Sequence, residues 1–251
     1  MGKIFHRKIA DGVFQISSDS FGTSMEFGAP SANSYLIIGD ETALLFDLAL
    51  PEAGLKEYAE ALAEKPVQVL ISHGHPDHIY HMEDFDRVML HKADKAFPLC
   101  DSVSRIPELC FVNDGDVIDA GKRPMEVFHL PGHTWGSIML YDRKSKILFS
   151  GDTVARRLLY GLTGAPPLKC FCNGLRSVRS MEMTEIYSAH DRHAISPDYI
   201  DIMIYHIEND LPKTEKTWEF AGLPKMRNLI IGEETSAEFF DAAVPEGEIY
   251  D

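Results

Sequence analysis

The chain has 251 residues, enough for one large α/β domain or two small ones. Hydrophobic residues make up 45% of it, and no run approaches either the roughly 20 apolar residues of a membrane helix or the apolar stretch of a signal peptide. The formal net charge of −15 disfavours a long nucleic acid as substrate, because such a surface repels phosphate backbones. We therefore expect a cytoplasmic protein that acts on a small molecule.

The first half of the chain is predicted to begin as an antiparallel sheet. Its predicted elements are strands over 12–17, 33–39, 42–48, 67–72 and 87–91, and helices that begin at Pro51 and cover 92–99. The second and third strands form a hairpin across Gly39-Asp40. The run over 67–72 is almost continuously apolar, which is typical of a strand buried on both faces, and it ends directly at His73.

The second half repeats this pattern with variation. Its predicted strands cover 125–130, 137–142, 146–152 and 185–190, and a helix begins at Ser196-Pro197. Residues 153–183 are predicted to be irregular, and the tail from about 212 is assigned only as a loop plus a strand over 229–232. No Pro/Gly/Ser-rich linker separates the two halves, so we predict one domain over 1–251.

A dense group of metal-ligand residues follows the buried strand just described. The run ISHGHPDHIYH contains His73, His75, Asp77 and His78, three imidazoles and one carboxylate within six residues. His73 and His75 are two residues apart, so an extended chain points both to the same side. Pro76 then allows a turn, after which the last two ligands can approach a second point in space. One segment can therefore supply ligands to two neighbouring ions.

Three further candidate ligands lie at strand-to-loop junctions: His133 in LPGHTWGS, Asp152 in FSGDT and His190 in YSAHD. Each ends or follows a predicted strand, so one rim of a sheet scaffold can gather them. Imidazole with carboxylate suits zinc, with iron or manganese as alternatives, and the missing thiolate argues against a purely structural zinc site. Seven ligands exceed what one four-coordinate ion uses, so we predict two divalent ions.

In this order and at these separations, H-x-H-x-D-H, PGHT, GD and a final His resemble the metallo-β-lactamase superfamily from about Asn33 to Ile207. The resemblance implies an α/β fold, an αββα sandwich of two mixed β-sheets flanked by helices, with the metals at one sheet edge. The ligand sets that it implies are His73, His75 and His133 for one ion, Asp77, His78 and His190 for the other, and Asp152 as the bridge. Asp47 matches a buried acid that braces the metal loop in the family, and a turn or cap carboxylate is the alternative.

The chemistry expected of such a site is hydrolysis. Water between two cations has a pKa near neutral, so hydroxide is available to attack a substrate carbonyl. Asp77 is a candidate to orient that hydroxide, and His193 is a candidate proton donor just beyond the last ligand. We therefore predict a dinuclear metal-dependent hydrolase that acts on a small carboxyl derivative, namely a thioester, lactone or ester.

Other functions remain as alternatives. By resemblance, a mononuclear iron dioxygenase acting on persulfides would use only His73, His133 and Asp152. A phosphodiesterase could use the same seven ligands, and a metal sensor without turnover is the third alternative.

Four features near the ligands carry open interpretations. His81 either contacts substrate or lies on a helix surface, and Arg156-Arg157 form either solvated loop charges or an anion site. Trp135 is interpreted as core packing, with a substrate platform as the alternative. The loop over 17–32 is a lid that carries Phe21, Met25 and Phe27, a plain surface loop, or a contact in a homodimer.

Overall fold

The fold is described from a computed structural model of the chain. The structure describes residues 2–20, 32–95, 107–162, 164–219 and 225–247. The loop side chains Phe21, Met25 and Phe27 lie outside these residues, so the three interpretations of that loop stay predictions.

The first half of the chain forms a seven-stranded sheet whose strands lie in chain order. Its elements are β1 (Ile4–Ala10), β2 (Val13–Ser18), β3 (Ser34–Ile38), β4 (Ala43–Phe46), α1 (Leu55–Ala63), β5 (Val67–Leu70), β6 (Arg87–His91) and β7 (Glu108–Val112). Strands β1 to β4 pair antiparallel, whereas β4 to β7 pair parallel. The carboxyl ends of the parallel strands therefore meet at one edge, where the ligand loop leaves β5.

The second half contains a five-stranded sheet and two helices. Its elements are β8 (Val117–Asp119), β9 (Pro124–His129), β10 (Ile138–Asp142), β11 (Ile147–Gly151), β12 (Arg157–Leu159), α2 (Leu168–Arg179), β13 (Glu185–Ser188) and α3 (Tyr199–Asn209). The order across the sheet is β13-β11-β10-β9-β8, with β11 and β13 parallel. A helical crossover through α2 joins these two parallel strands, as parallel pairing requires.

A third, four-stranded sheet contains the end of the chain. Its additional strands are β14 (Thr217–Trp218), β15 (Met226–Ile231) and β16 (Phe240–Pro245), and the order is β12-β16-β15-β14. The strand predicted over 229–232 overlaps β15, whereas the loop predicted for the rest of the tail is wrong, because that part contains β14 and β16. Its regular structure depends on the parallel pairing of β16 with β12, which lies far earlier in the chain.

Three apolar layers hold these elements together. Tyr35, Phe46 and Phe149 are fully buried between the two large sheets. The buried face of α1 packs on the outer side of the first sheet. Helices α2 and α3 pack with the third sheet on the outer side of the second, around Phe171 and Phe240. The layers are thus helix, sheet, sheet, helix, with an added sheet beside the second pair of helices.

The helices differ from their predicted bounds. The helix predicted from Pro51 begins at Leu55, because the chain first turns through Gly54 with a left-handed φ of 94°. Of the helix predicted over 92–99, the described part forms only one 3-10 turn, Lys92–Asp94. Helix α2 lies in the stretch predicted to be irregular. Its Gly174 weakens the helical pattern and lies close to Leu130, whose Cδ1 would be 2.2 Å from an added Cβ and would have to shift.

Within the described residues, no helix is both long enough and apolar enough to cross a membrane. The assignments of one domain over 1–251 and of a cytoplasmic location stay predictions.

Candidate metal centre

The first four candidate ligands follow β5 at the edge where the parallel strands end. After β5 the chain stays extended to His75, which has φ −69° and ψ 151°. Pro76–His78 then form a single 3-10 turn with the proline in its first helical positions. Pro76 suits this place because its missing N–H is not needed there. The turn brings Asp77 and His78 back beside the preceding ligands, and the ring centres of His73 and His78 lie 4.0 Å apart.

His73, His75 and His133 form the first group of ligand atoms. Nε2 of His133 lies 2.8 Å from Nδ1 of His75 and 3.1 Å from Nε2 of His73. The other ring nitrogen of His133 lies 2.5 Å from the Leu159 carbonyl oxygen. It must donate there, because a carbonyl oxygen only accepts. In the neutral ring Nε2 therefore presents a lone pair to the group, which is the form that binds a metal ion.

Asp77, His78 and His190 form the second group. Oδ2 of Asp77 lies 3.3 Å from Nε2 of His190 and 3.8 Å from Nε2 of His78. Asp152 lies between the two groups. Its Oδ1 is 3.6 Å from Nε2 of His78, and its Oδ2 is 3.5 Å from Nε2 of His133 and 3.3 Å from Nε2 of His190.

The donor atoms fit divalent metal ions. Within each of three sets of residues, the ligand atoms lie within 4.8 Å of one another: His73, His75 and His133; His73, His78 and Asp152; and Asp77, His78 and His190. Nε2 of His78 and Oδ1 of Asp152 are buried and make no hydrogen bond with the described residues. An unsatisfied buried polar group costs about 1–3 kcal/mol, and a bound cation would remove that cost for both atoms. Imidazole with carboxylate is a ligand set for zinc, iron or manganese.

The two groups differ in their proton affinity. Burial and the neighbouring imidazoles hold the pKa of His73 well below its ordinary value and lower the pKa of His75 to about 3. Burial also disfavours the charged forms of His78 and His190, but the carboxylates beside them outweigh it. The pKa of His78 lies well above its ordinary value, chiefly because of Asp47, and Asp152 and Asp77 raise that of His190 to about 10.

Asp47 braces the ligand loop from behind. It is buried, and its backbone has a left-handed φ of 66°. Its Oδ1 accepts a hydrogen bond from the Ser72 amide at 2.6 Å, and its Oδ2 accepts one from Ser72 Oγ at 2.8 Å. Oδ2 also lies 3.0 Å from Nδ1 of His78, which leaves Nε2 of that ring facing the ligands. The carboxylate thus orients a ligand, as the resemblance implied.

Asp94 joins two ligand loops, and sequence reasoning missed it. Its buried carboxylate accepts hydrogen bonds from the Gly74 amide at 3.0 Å, from Thr134 Oγ1 at 2.6 Å and from the Gly136 amide at 2.8 Å. It therefore fixes the loop of His73 and His75 relative to the loop of His133. In the sequence, only Thr134 and Gly136 of GHTWGS indicate locally that a buried acceptor lies beside this loop.

The remaining candidates lie around the ligands. His193 is exposed and lies outside the three ligand sets found among the described residues, so its role as proton donor stays a prediction. Nε2 of His81 donates to the Pro51 carbonyl oxygen at 2.9 Å, so this ring holds the loop before α1. Trp135 is 46% exposed, so its interpretation as core packing is wrong. Arg156 and Arg157 both form ion pairs, with Asp191 and Glu234 respectively.

Known proteins resemble this chain in sequence. The family model described as the metallo-beta-lactamase superfamily matches residues 28–88 and 99–169, which include six of the seven candidate ligands and stop before His190. The human acyl-coenzyme A thioesterase MBLAC2 is 31% identical over 188 residues, 59% of this chain and 66% of that protein, so the chain spans just under two thirds of it. Hydroxyacylglutathione hydrolase of Maricaulis maris is 32% identical over 124 residues, 45% of this chain and 48% of that protein.

Solved structures share the fold. A metallo-beta-lactamase from Pontibacter korlensis has a TM-score of 0.68 at 21% identity and covers 83% of this chain and 100% of that one. An archaeal metallo-beta-lactamase superfamily protein from Sulfolobus tokodaii has a TM-score of 0.60 at 15% identity, over 84% of this chain and 90% of that one. These likenesses confirm the predicted αββα sandwich, and the relatives' names agree with the predicted metal-dependent hydrolase. The chain belongs to the metallo-β-lactamase superfamily.

Proposed function

We propose that the chain is a hydrolase that uses two divalent metal ions, zinc by preference, to cleave a small acyl substrate, with a thioester as the first choice. The observation that carries the proposal is the position of Asp152 between two complete groups of ligand atoms. A single four-coordinate ion would leave one group without a use.

The candidate residues have two proposed roles, which are to bind the metal ions and to orient the attacking water. His73, His75 and His133 would hold one ion, and Asp77, His78 and His190 would hold the other, with Asp152 shared. Two ions held by these residues would lower the pKa of a bound water to near neutral and would polarise a carbonyl oxygen. Asp77 keeps 8% of its surface exposed, so its carboxylate can accept a hydrogen bond from the attacking water and orient it.

The preference for a thioester has two supports. The human relative is named an acyl-coenzyme A thioesterase, and the relative from Maricaulis maris is named for hydrolysing an acyl derivative of glutathione. The net charge of −15 also disfavours a phosphodiester in a long polyanion. Lactones and simple esters present the same carbonyl centre, so they follow as weaker substrates. The same charge argument supports a small-molecule substrate without nucleic acid.

The second group of ligands argues against the main alternative. A mononuclear iron dioxygenase would need only His73, His133 and Asp152, yet Asp77, His78 and His190 also converge. Their convergence supports a hydrolase over that alternative and over a sensor. A cytoplasmic location and a homodimer remain proposals from sequence.

The first experiment counts metal ions. We expect about two equivalents per chain, measured by elemental analysis after metal-free protein is loaded with zinc and dialysed. Asp152→Ala should lower affinity for both equivalents, whereas His190→Ala should weaken mainly one, by about 10- to 100-fold or more. One tightly bound iron in protein purified without added metal, with no gain of bound metal on adding zinc or manganese, would favour the dioxygenase. Full metal content in Asp152→Ala would contradict its shared position.

The second experiment ranks substrates. Metal-loaded protein is assayed on acyl thioesters, lactones, aryl esters, β-lactams and a bis-aryl phosphodiester. We expect the highest kcat/KM on a thioester, and Asp152→Ala protein serves as the control for contaminating activity. A phosphodiester that is cleaved faster than every acyl substrate would overturn the carbonyl assignment and leave the two-metal site standing.

A further inference from the structure

The segment that carries His190 lies beyond the end of β13, so hydrogen bonds from other segments must position it. Asn33 Nδ2 donates to the carbonyl oxygens of Ala189 at 2.9 Å and Asp191 at 3.0 Å, one on each side of the ligand. Tyr35 Oη donates to the Ser188 carbonyl oxygen at 2.5 Å. The backbone around His190 is therefore held from the first sheet.

Asp191, the residue after this ligand, turns its side chain towards the segment of Asp152. Its Oδ2 accepts hydrogen bonds from Ser188 Oγ at 2.5 Å and from the Arg156 amide at 3.3 Å. Its Oδ1 lies 3.7 Å from Nε of Arg156. The side chains of Asp191 and Arg156 are only 13% and 26% exposed, so solvent screens this pair less than a surface pair.

The guanidinium of Arg156 is itself held in place. Its Nη1 donates to the Ser236 carbonyl oxygen at 3.0 Å, and its Cζ lies 6.0 Å from the ring centre of Tyr199. Arg156 follows Asp152 by four residues. One ion pair therefore joins the segment of the shared ligand to the segment of His190, and the third sheet supports that pair through the loop before β16.

We infer that Arg156 and Asp191, here called the Arg156–Asp191 clamp, are positioning residues that set the affinity of the second metal site. The clamp joins the segments on which Nε2 of His190 lies 3.3 Å from Oδ2 of Asp152. Neither residue belongs to the three sets of candidate ligands found among the described residues. The inference rests on the proposed two-metal site. It adds that the Arg156–Asp191 clamp holds the residues of the second metal site in position.

Arg157 provides a matched control. It is the next residue, and its exposed side chain pairs with Glu234 at 2.7 Å and with Asp241 at 3.7 Å, away from the ligand segments. Removal of this arginine changes the net charge by the same amount as removal of Arg156. It leaves the clamp intact, so it separates a general charge effect from positioning.

The test titrates metal-free protein with Co²⁺ and with Zn²⁺ against a competing chelator, and records the Co²⁺ absorption spectrum. In Arg156→Ala we expect the affinity for the second equivalent to fall about 10- to 100-fold while the first is unchanged. Asp191→Asn, which keeps the shape of the side chain, should weaken the same equivalent. Arg156→Lys should recover part of the loss, and Arg157→Ala should match the unaltered protein.

The double variant Arg156→Ala/Asp191→Asn sharpens the test. If the two residues act as one clamp, the double variant should lose little more than the worse single variant, because each removes the same interaction. Additive losses would overturn the clamp. So would an equal loss at both equivalents, a loss in Arg157→Ala, or unchanged binding in folded Asp191→Asn. An unaltered protein that binds only one ion would instead refute the two-metal proposal itself.

Discussion

At the scale of single residues, His73 and His75 differ from His78 and His190 in their protonation in the metal-free protein. His73 and His75 have lowered pKa values, so they are neutral at pH 7 and offer lone pairs. His78 and His190 have raised pKa values because carboxylates surround them, so they carry protons at the same pH. A metal ion that enters the second group must therefore displace those protons.

This difference predicts how metal affinity depends on pH. Two protons leave the second group on binding, so its affinity should rise by up to about 100-fold per pH unit between pH 7 and 9, which lies below the pKa of about 10 for His190. In the first group, His73 and His75 have lowered pKa values and release no protons when metal binds, so the metal affinity of this group should change little over this range. Calorimetric titrations in two buffers with different ionisation enthalpies count the protons released per equivalent. Equal proton release at both equivalents would contradict the prediction.

At the scale of structural elements, Asp94 acts as the joint between two ligand loops. The 3-10 turn after β6 carries it to Gly74 on one loop and to Thr134 and Gly136 on the other. An added Cβ at Gly136 would lie 2.5 Å from the Asp94 carboxylate, so the approach requires glycine. The two loops approach each other because the short turn that carries Asp94 packs directly against Gly136, which has no side chain.

We predict that Asp94→Ala destabilises the protein and loosens the first metal group. Three buried donors lose their acceptor at once, which at about 1–3 kcal/mol each gives a loss of roughly 3 kcal/mol or more. Denaturant unfolding of metal-free protein measures this loss, and chelator competition measures metal affinity. Asp84→Asn, on an exposed aspartate of a nearby turn, is the control and should change neither. Unaltered stability in Asp94→Ala would show that the loops are joined by other contacts.

At the scale of the whole molecule, the proposed metal ions would connect parts of the fold that lie far apart in the chain. The ligands come from the loops after β5, β9, β11 and β13, so both large sheets contribute to one site. Two divalent ions would also offset about four of the 15 excess negative charges. Binding should therefore stabilise the assembled sheets rather than one loop.

We predict that metal raises the unfolding temperature. Ligand at 100 times its Kd stabilises by about 2.7 kcal/mol, and 1 kcal/mol shifts Tm by about 2–4 °C in a protein of this size, so a rise of about 5–11 °C is expected. Thermal scans with and without chelator measure it. The same scans on Asp152→Ala should show a much smaller rise. A full rise in that variant would mean that metal stabilises the protein from elsewhere.

Much of the site was predictable from sequence because its ligands have local signals. Each ligand occurs in a short motif next to a strand, and strands of one sheet end at a common edge, so residues as far apart as His73 and His190 could be grouped before any contact was known. The same holds for the hairpin of β3 and β4, which two short apolar runs on either side of Gly39-Asp40 predicted. The αββα arrangement came from the family resemblance and agreed with that order of elements.

The supports of the site were decided by tertiary structure. Asp94 meets Thr134 across 40 positions, and Arg156 meets Asp191 across 35. A single aspartate or arginine in a polar loop looks the same whether it is solvated or buried against a distant partner. The tail is another case, because β16 gains its place by pairing with β12. Local residue patterns identify ligands and element types, whereas buried pairings between distant segments depend on how the complete chain packs.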